Sequence, residues 1–444
     1  MQRAAHGLAH AVLDLLETAY GRRVLLLVGS GDNGGDALYA GAVLARRGVQ
    51  VSAWLLSGRA HERGLDALRN AGGRVVVGPP RQRPDLVVDG IVGIGGRPGL
   101  EPAARDALRA IAGVPIVAVD LPSGVEADTG ETTGRAGDHV EARLTVTFGT
   151  HKVAHLVDPA SAACGAVHLV DLNLDLATQV AEALQPADVA ALLPRPGLDA
   201  QKYTRGVVGV RSGSQAYPGA GLLSVAGAAC GLAGMVRYVG DQSVLDLVRV
   251  HHPEVVGPGR VQAWVIGSGS GDGAASTLSE ALSDEVPVVV DADALAHAPR
   301  GRADLILTPH AGELARMLGA ERAEVEARPL AYARRAAQTY GCVVLLKGHH
   351  TLVVHPDGPV RVTTTGNPWL ASAGAGDVLG GVIGALAAAG LTPYDAASVG
   401  SWLHGAAATQ ASQGGPIVAG DVARTLPRVV AAVLARAEVE GSEA

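Results

Sequence analysis

The chain has few aromatic residues, few cysteines and no cluster of basic charge, and each shortage removes a class of protein. Aromatics make up 3% of its 444 residues, with a single phenylalanine. A core without large rings is filled by Val, Leu and Ala, and 60 glycines add to the case for small-residue helices lying close on apolar strands. The three cysteines, Cys164, Cys230 and Cys342, are odd in number and far apart. That spacing excludes a disulfide framework and points to a reducing compartment, the cytoplasm. With a net charge of −7 and no basic run, the sequence offers no electrostatic footprint for nucleic acid or an anionic membrane. A small-molecule substrate is the expectation. No apolar segment of signal-peptide type follows Arg3 and His6. One uncharged stretch, Tyr217 to Val236, is mostly Gly, Ala and Ser and reads as a buried helix, not a membrane span.

What is present is a globular composition, 48% hydrophobic and 18% charged, on a chain longer than one hydrophobic core usually serves. Two α/β domains are expected, because apolar runs alternate with amphipathic segments throughout. In the first half the strand candidates are 24–28, 49–55, 75–77, 86–88, 116–119, 144–148 and 167–170. In the second they are 207–210, 261–266, 288–290, 305–307 and 343–346. After Gly374 the pattern is helical through Gly380 to Ala389 and Tyr394 to Ser412. Periodicity weakens and prolines gather around Pro186, Pro194 and Pro196, which puts the domain boundary near Ala190, between 1–190 and 191–444.

The first strand runs into Gly29-Ser30-Gly31-Asp32-Asn33-Gly34-Gly35-Asp36, followed by a helix. Glycines at such a turn let backbone N–H groups approach an anion at the positive helix end. Two more strands end in Asp89, ahead of Gly93-Ile94-Gly95-Gly96-Arg97-Pro98-Gly99, and in Asp120, ahead of Ser123. C-terminal strand ends share one edge of an open parallel sheet, so Asn33, Asp89, Asp120 and Ser123 converge there. Four oxygen donors of partial negative charge suit K⁺ better than zinc, although capping a helix is the plain alternative for each Asp.

In the second half, Gly374-Ala375-Gly376-Asp377 opens the most uniformly apolar helix. The glycines can present N–H groups to a phosphate, and Asp377 beside that anion can take a proton from a hydroxyl as it is phosphorylated. The strand at 343–346 ends in Lys347-Gly348-His349-His350-Thr351, within reach of nucleotide phosphates. Among the histidines, His310 in Thr308-Pro309-His310 stands out as a site candidate, whereas His251, His252 and His404 read as surface or core residues. No His/Cys/Asp spacing resembles a zinc site.

GSGDNGGD, VVDGIVGIGG and AVDLPSGVEADTG together resemble the YjeF N-terminal domain, the NAD(P)H-hydrate epimerase, over roughly residues 1–185. SGSQAYPGAG, HHPEVV, GSGSG, VVVDADAL, LTPHAGEL, LLKGHHT and GNPWLASAGAGDVLGG resemble the ribokinase-like, ADP- or ATP-dependent NAD(P)H-hydrate dehydratase over nearly all of 200–415. The resemblance implies a Rossmann-like three-layer αβα sandwich followed by a ribokinase-like α/β domain. It implies that Asp32 to Asp36, Gly93 to Gly99 and Asp120 contact hydrated NADH or NADPH, with K⁺ on Asn33, Asp89 and Ser123. It implies further that Ala220, Gly269, His310 and Asp377 contact the same substrate in the second domain, and that Lys347 to Thr351 and Gly376 hold ADP or ATP with Mg²⁺ on its phosphates. The sequence departs from the family in three places. Asp32 stands where Asn is usual, Gly267-Ser268-Gly269 replaces a Gly-Pro-Gly turn, and the N-terminal helical segment is shorter, which bears on epimerase activity and dimerisation. Small-residue helices favour a homo-oligomer. The rival readings are a ribokinase-superfamily small-molecule kinase and a non-catalytic N-terminal binding module.

Overall fold

The computed structural model describes residues 1–174 and 181–442. The chain forms two compact units, Met1–Gln179 with Glu326–Arg328, and Val180–Val325 with Pro329–Ala444. The division comes ahead of the expected Ala190, because helix Pro186–Leu192 packs on the long C-terminal helix Ala419–Ser442 of the second unit.

In the first unit, β1 (Arg23–Val28), β2 (Gln50–Leu55), β3 (Arg74–Val76), β4 (Leu86–Gly90), β5 (Ile116–Val119), β6 (Leu144–Phe148) and β7 (Ala166–Val170) form one sheet. Its order is β3-β2-β1-β4-β5-β6-β7 and every pairing is parallel. Central strands are apolar on both faces because both faces are covered. Leu26 and Val28 of β1 face helices Gln2–Leu16 and Asp32–Arg46, whereas Leu25 and Leu27 face Ala107 and Ile111 at helix Pro102–Ala110. Alternate side chains of one strand thus serve two helical layers, giving the expected αβα sandwich.

In the second unit, β8 (Val207–Arg211), β9 (Met235–Tyr238), β10 (Ala263–Ile266), β11 (Val288–Val290), β12 (Leu305–Leu307), β13 (Val343–Leu346), β14 (Thr351–Val354) and β15 (Val360–Thr363) form a sheet in the order β15-β14-β13-β12-β11-β10-β8-β9. It is parallel from β9 to β13 and ends in an antiparallel hairpin, β14–β15. The stretch from Tyr217 to Val236 divides into helix Pro218–Ala228 and the start of β9, and no described helix is long and apolar enough to cross a membrane.

Helix Ala375–Ala388 is buried along nearly its whole length. A methyl at Gly381 would lie 2.1 Å from Ser224 O, and one at Gly227 would lie 2.1 Å from Val378 O. Glycine is therefore what lets this helix and Pro218–Ala228 touch backbone to backbone. The scarcity of large rings has this packing as its counterpart.

Candidate functional site

In the first unit the ends of β1, β4, β5 and β6 lie side by side, with Asp89 paired to Leu27 of β1 and to Ala118 of β5. Asp89 is wholly buried, and its carboxylate accepts from Ser123 N (2.8 Å), Ser123 Oγ (2.7 Å) and Ile91 N (3.2 Å). All three donors are neutral, so burial prevails and pushes the carboxyl up to about 6. Asn33 stands against the Gly93 backbone, where a methyl would come within 2.8 Å of its Oδ1, and its Nδ2 is buried without a hydrogen bond. Asn33 thus lies against the Gly93 loop, and Val92 of that loop donates its N–H to Ser123 Oγ at 3.1 Å.

The glycine turn splits into two kinds of residue. Gly34 and Gly35 are buried, and methyls there would strike Gly29 O at 2.3 Å and the His61 ring at 3.0 Å. Close packing accounts for both. Gly31 and Gly95 are open, Ile94 and Arg97 are exposed beside Gly95, and Asp32 is exposed in the first turn of its helix. Asp36 is half-buried with Oδ1 unbonded, and burial, with Asp120 and Asp32 adding to it, pushes its carboxyl up to about 6.

Asp120 follows β5 with φ of 65°, a left-handed conformation that a non-glycine residue holds only when its surroundings impose it. Its Oδ1 accepts from Lys152 Nζ (2.5 Å), Thr147 Oγ1 (2.9 Å) and Phe148 N (3.4 Å). The His155 ring bonds Asp120 O through Nε2 at 2.9 Å and Lys152 N through Nδ1 at 2.9 Å. Neither Lys152 nor His155 stood out in the sequence. The spacing from Thr147 through Lys152 to His155, just past a strand end, was the signal available.

In the second unit a cavity of about 690 Å³ is lined by Lys347, Gly348, His349, Thr351, Asn367 and Gly376, with His310 and His404 also on its wall. Asp377 stands in the first turn of helix Ala375–Ala388, whose N-cap Gly374 has φ of 85°. A methyl at Gly374 would meet Leu223 Cδ1 at 2.3 Å, so only glycine fits this helix start. Asp377 Oδ1 accepts a short hydrogen bond from Ser268 Oγ. Burial outweighs that bond and the nearby Lys347 charge, pushing the carboxyl up to about 6, with Asp291 adding to the rise.

Lys347 Nζ donates to Asp291 Oδ1 at 2.8 Å and lies 3.8 Å from Glu313 Oε2. A methyl at Gly376 would lie 3.4 Å from both Lys347 Nζ and Asp291 Oδ2, so the cradle, the cation and a second carboxylate meet there. Ala220 and Gly269 are also neighbours, since a methyl at Gly269 would lie 3.0 Å from Ala220 Cβ. Ser268 links that pair to Asp377. His310 caps helix Ala311–Leu318 through Nδ1, with its ring half exposed at the cavity. His349 and His350 stack at 4.5 Å between ring centroids. His404 is fully core, yet it lines the cavity with Nε2 unbonded, and burial pushes its pKa down to about 4. Sequence reasoning placed it among the surface or core histidines and missed the cavity side.

Both units therefore carry a mostly buried carboxylate near the C-terminal ends of parallel strands, the place where open α/β sheets bind small molecules. Residues 1–154 match the family described as YjeF-related protein N-terminus, and residues 208–428 match NAD(P)H-hydrate dehydratase. The bifunctional NAD(P)H-hydrate repair enzyme Nnr of Mycobacterium leprae is 45% identical over 453 residues, covering 97% of this chain and 92% of that relative. The enzyme of the same name from Escherichia coli is 32% identical over 463 residues, covering 95% and 88%. The chain belongs to the family of bifunctional NAD(P)H-hydrate repair enzymes. Among solved structures, the ADP/ATP-dependent NAD(P)H-hydrate dehydratase of Bacillus subtilis, co-crystallised with ATP and Mg²⁺, superposes with a TM-score of 0.54 at 29% identity, covering 57% of this chain and 98% of that one.

Proposed function

We propose that this chain repairs hydrated NADH and NADPH, with the first unit interconverting the R and S hydrates and the second dehydrating the S hydrate at the expense of ADP or ATP. In the second unit Asp377 takes the proton of the C6 hydroxyl as that oxygen receives a phosphoryl group, and phosphate then leaves to restore the dihydronicotinamide ring. Phosphorylation replaces hydroxide, a poor leaving group, by a good one. The amides at Gly374 to Gly376 and the Lys347 ammonium neutralise the transferred charge. In this reading Lys347 to Thr351 and Gly376 hold the nucleotide, and Ala220, Gly269 and His310 the hydrated substrate. Mg²⁺ would supply charge neutralisation on the nucleotide phosphates, and the buried Asp291 carboxylate beside Gly376 fits it. The observation that carries the reading is the Asp377 carboxyl, pushed up to about 6, beside a glycine cradle and Lys347.

In the first unit Asp120 moves the proton at C6, and the loops at 32–36 and 93–99 hold the nucleotide. K⁺ on Asn33, Asp89 and Ser123 would supply the counter-charge that the neutral donors around Asp89 lack, which suits that buried carboxylate. The reading implies a cytoplasmic setting, and mixing enzymatically hydrated NADH with the full chain tests its dehydration step. Absorbance of reduced nicotinamide should return with ADP or ATP and should not return without a nucleotide. Nucleotide consumption only with an unrelated alcohol would instead favour a small-molecule kinase.

A further inference from the structure

We infer that Lys152 is a positioning residue that holds Asp120 by Oδ1 and leaves Oδ2 to act as the base, so that inversion at C6 proceeds by opening the C6–N1 bond and not by loss of the C6 hydroxyl. The inference rests on the epimerase reading of the first unit. Hydrated nicotinamide carries a hydroxyl and a ring nitrogen on the same carbon, and either bond can break to erase the stereocentre. A protonated acid beside the hydroxyl would drive out water, which is the chemistry of the dehydratase and not of an epimerase. A charged base does the opposite. It removes the hydroxyl proton, the oxygen lone pair forms C=O as the C6–N1 pair returns to nitrogen, and an aldehyde results. That aldehyde turns about C5–C6, nitrogen attacks its other face, and the proton on Asp120 returns to oxygen. No proton, electron or co-reactant is consumed.

The geometry around Asp120 fixes one oxygen of its carboxylate. The Lys152 ammonium uses three donors, to Asp120 Oδ1 (2.5 Å), Thr147 Oγ1 (2.9 Å) and Phe148 O (3.1 Å). Thr147 Oγ1 accepts from Lys152 and passes its own hydrogen to the same Oδ1 at 2.9 Å. Among the described residues every donor falls on Oδ1, which leaves Oδ2 as the oxygen for substrate. Both side chains are mostly buried, at 15% exposure for Lys152 and 12% for Asp120, so the pair is shielded from solvent screening. His155 fixes the two ends. Because Nδ1 accepts from Lys152 N, the ring proton sits on Nε2 and is donated to Asp120 O, which holds the strained φ of 65°.

The test uses the full chain without nucleotide, so that the second unit is idle, and follows chromatographic conversion of a pure R hydrate to S. Lys152→Met should lower kcat about 100-fold with KM changed little, as for a general base whose orientation is lost, and Lys152→Arg should recover part of it. Unchanged kcat, or a loss carried by KM alone, overturns the inference. A second measurement needs no variant: in H₂¹⁸O the wild-type chain should invert C6 many times for each solvent oxygen it incorporates. One solvent oxygen per inversion would show that hydroxide departs, overturning the inference while leaving the epimerase reading intact. Absence of any epimerisation by the wild-type chain would remove that reading itself.

Discussion

The carboxylates of the two units sit at equivalent edges of their sheets and keep opposite company. Asp120 shares a buried ion pair with Lys152 and takes two further donors. Asp377 has one neutral donor, Ser268, and is pushed up to about 6 chiefly by burial. One carboxylate is held by a fixed cation, whereas the other is pushed up by desolvation. Equivalent sheet edges thus set two carboxylates in different surroundings, one in an ion pair and one chiefly desolvated.

The contrast breaks most plainly at Asp377. Asp377→Asn should lower nucleotide-dependent dehydration about a thousandfold, within the range for a removed general base, and should leave R-to-S conversion unchanged. Recovery of NADH absorbance measures the first and chromatography without nucleotide the second. Loss of both activities would mean that the units are not independent catalysts. Gly374→Val comes next. A side chain at φ of 85° facing Leu223 should cost about 1–3 kcal/mol in strain alone, lowering the unfolding midpoint of the second unit by several degrees and kcat with it.

The smallest effect sharpens the comparison most. With its carboxyl at about 6, Asp377 is ionised above that pH, so kcat/KM for dehydration should hold above pH 6 and fall as pH drops through it. The Ser268 hydrogen bond lowers the carboxyl, so Ser268→Ala should move this acid limb to higher pH and reduce the rate a few-fold near pH 6. An unmoved limb would assign it to another group.

The parallel strands, the glycine turns and both carboxylates were legible in the sequence, because apolar runs ending in Asp and Gly have few meanings in an α/β chain. β9, β14 and β15 were not. Each is four residues long, β9 ends a stretch whose small residues read as one helix, and β14 and β15 form a hairpin at the sheet edge with little periodicity to display. Gly34 and Gly35 were read as ligand-facing, and their Cβ positions are also filled by Gly29 O and His61, a close approach that no sequence pattern separates from anion binding. Lys152, His155 and His404 stayed hidden for a related reason. Their roles depend on partners such as Asp120 that the tertiary fold brings across about thirty residues, and the short spacing from Thr147 to His155 records only part of that.

In the seam between Pro218–Ala228 and Ala375–Ala388, Gly227 and Gly381 put main chain directly on main chain. Ala220 rides on one of these helices and Asp377 on the other, so neither can shift without carrying its partner along. Adaptation toward a differently shaped hydroxylated substrate therefore has to come from the turns around Ser268 and Asn367, which border the cavity and its base without belonging to that rigid plate.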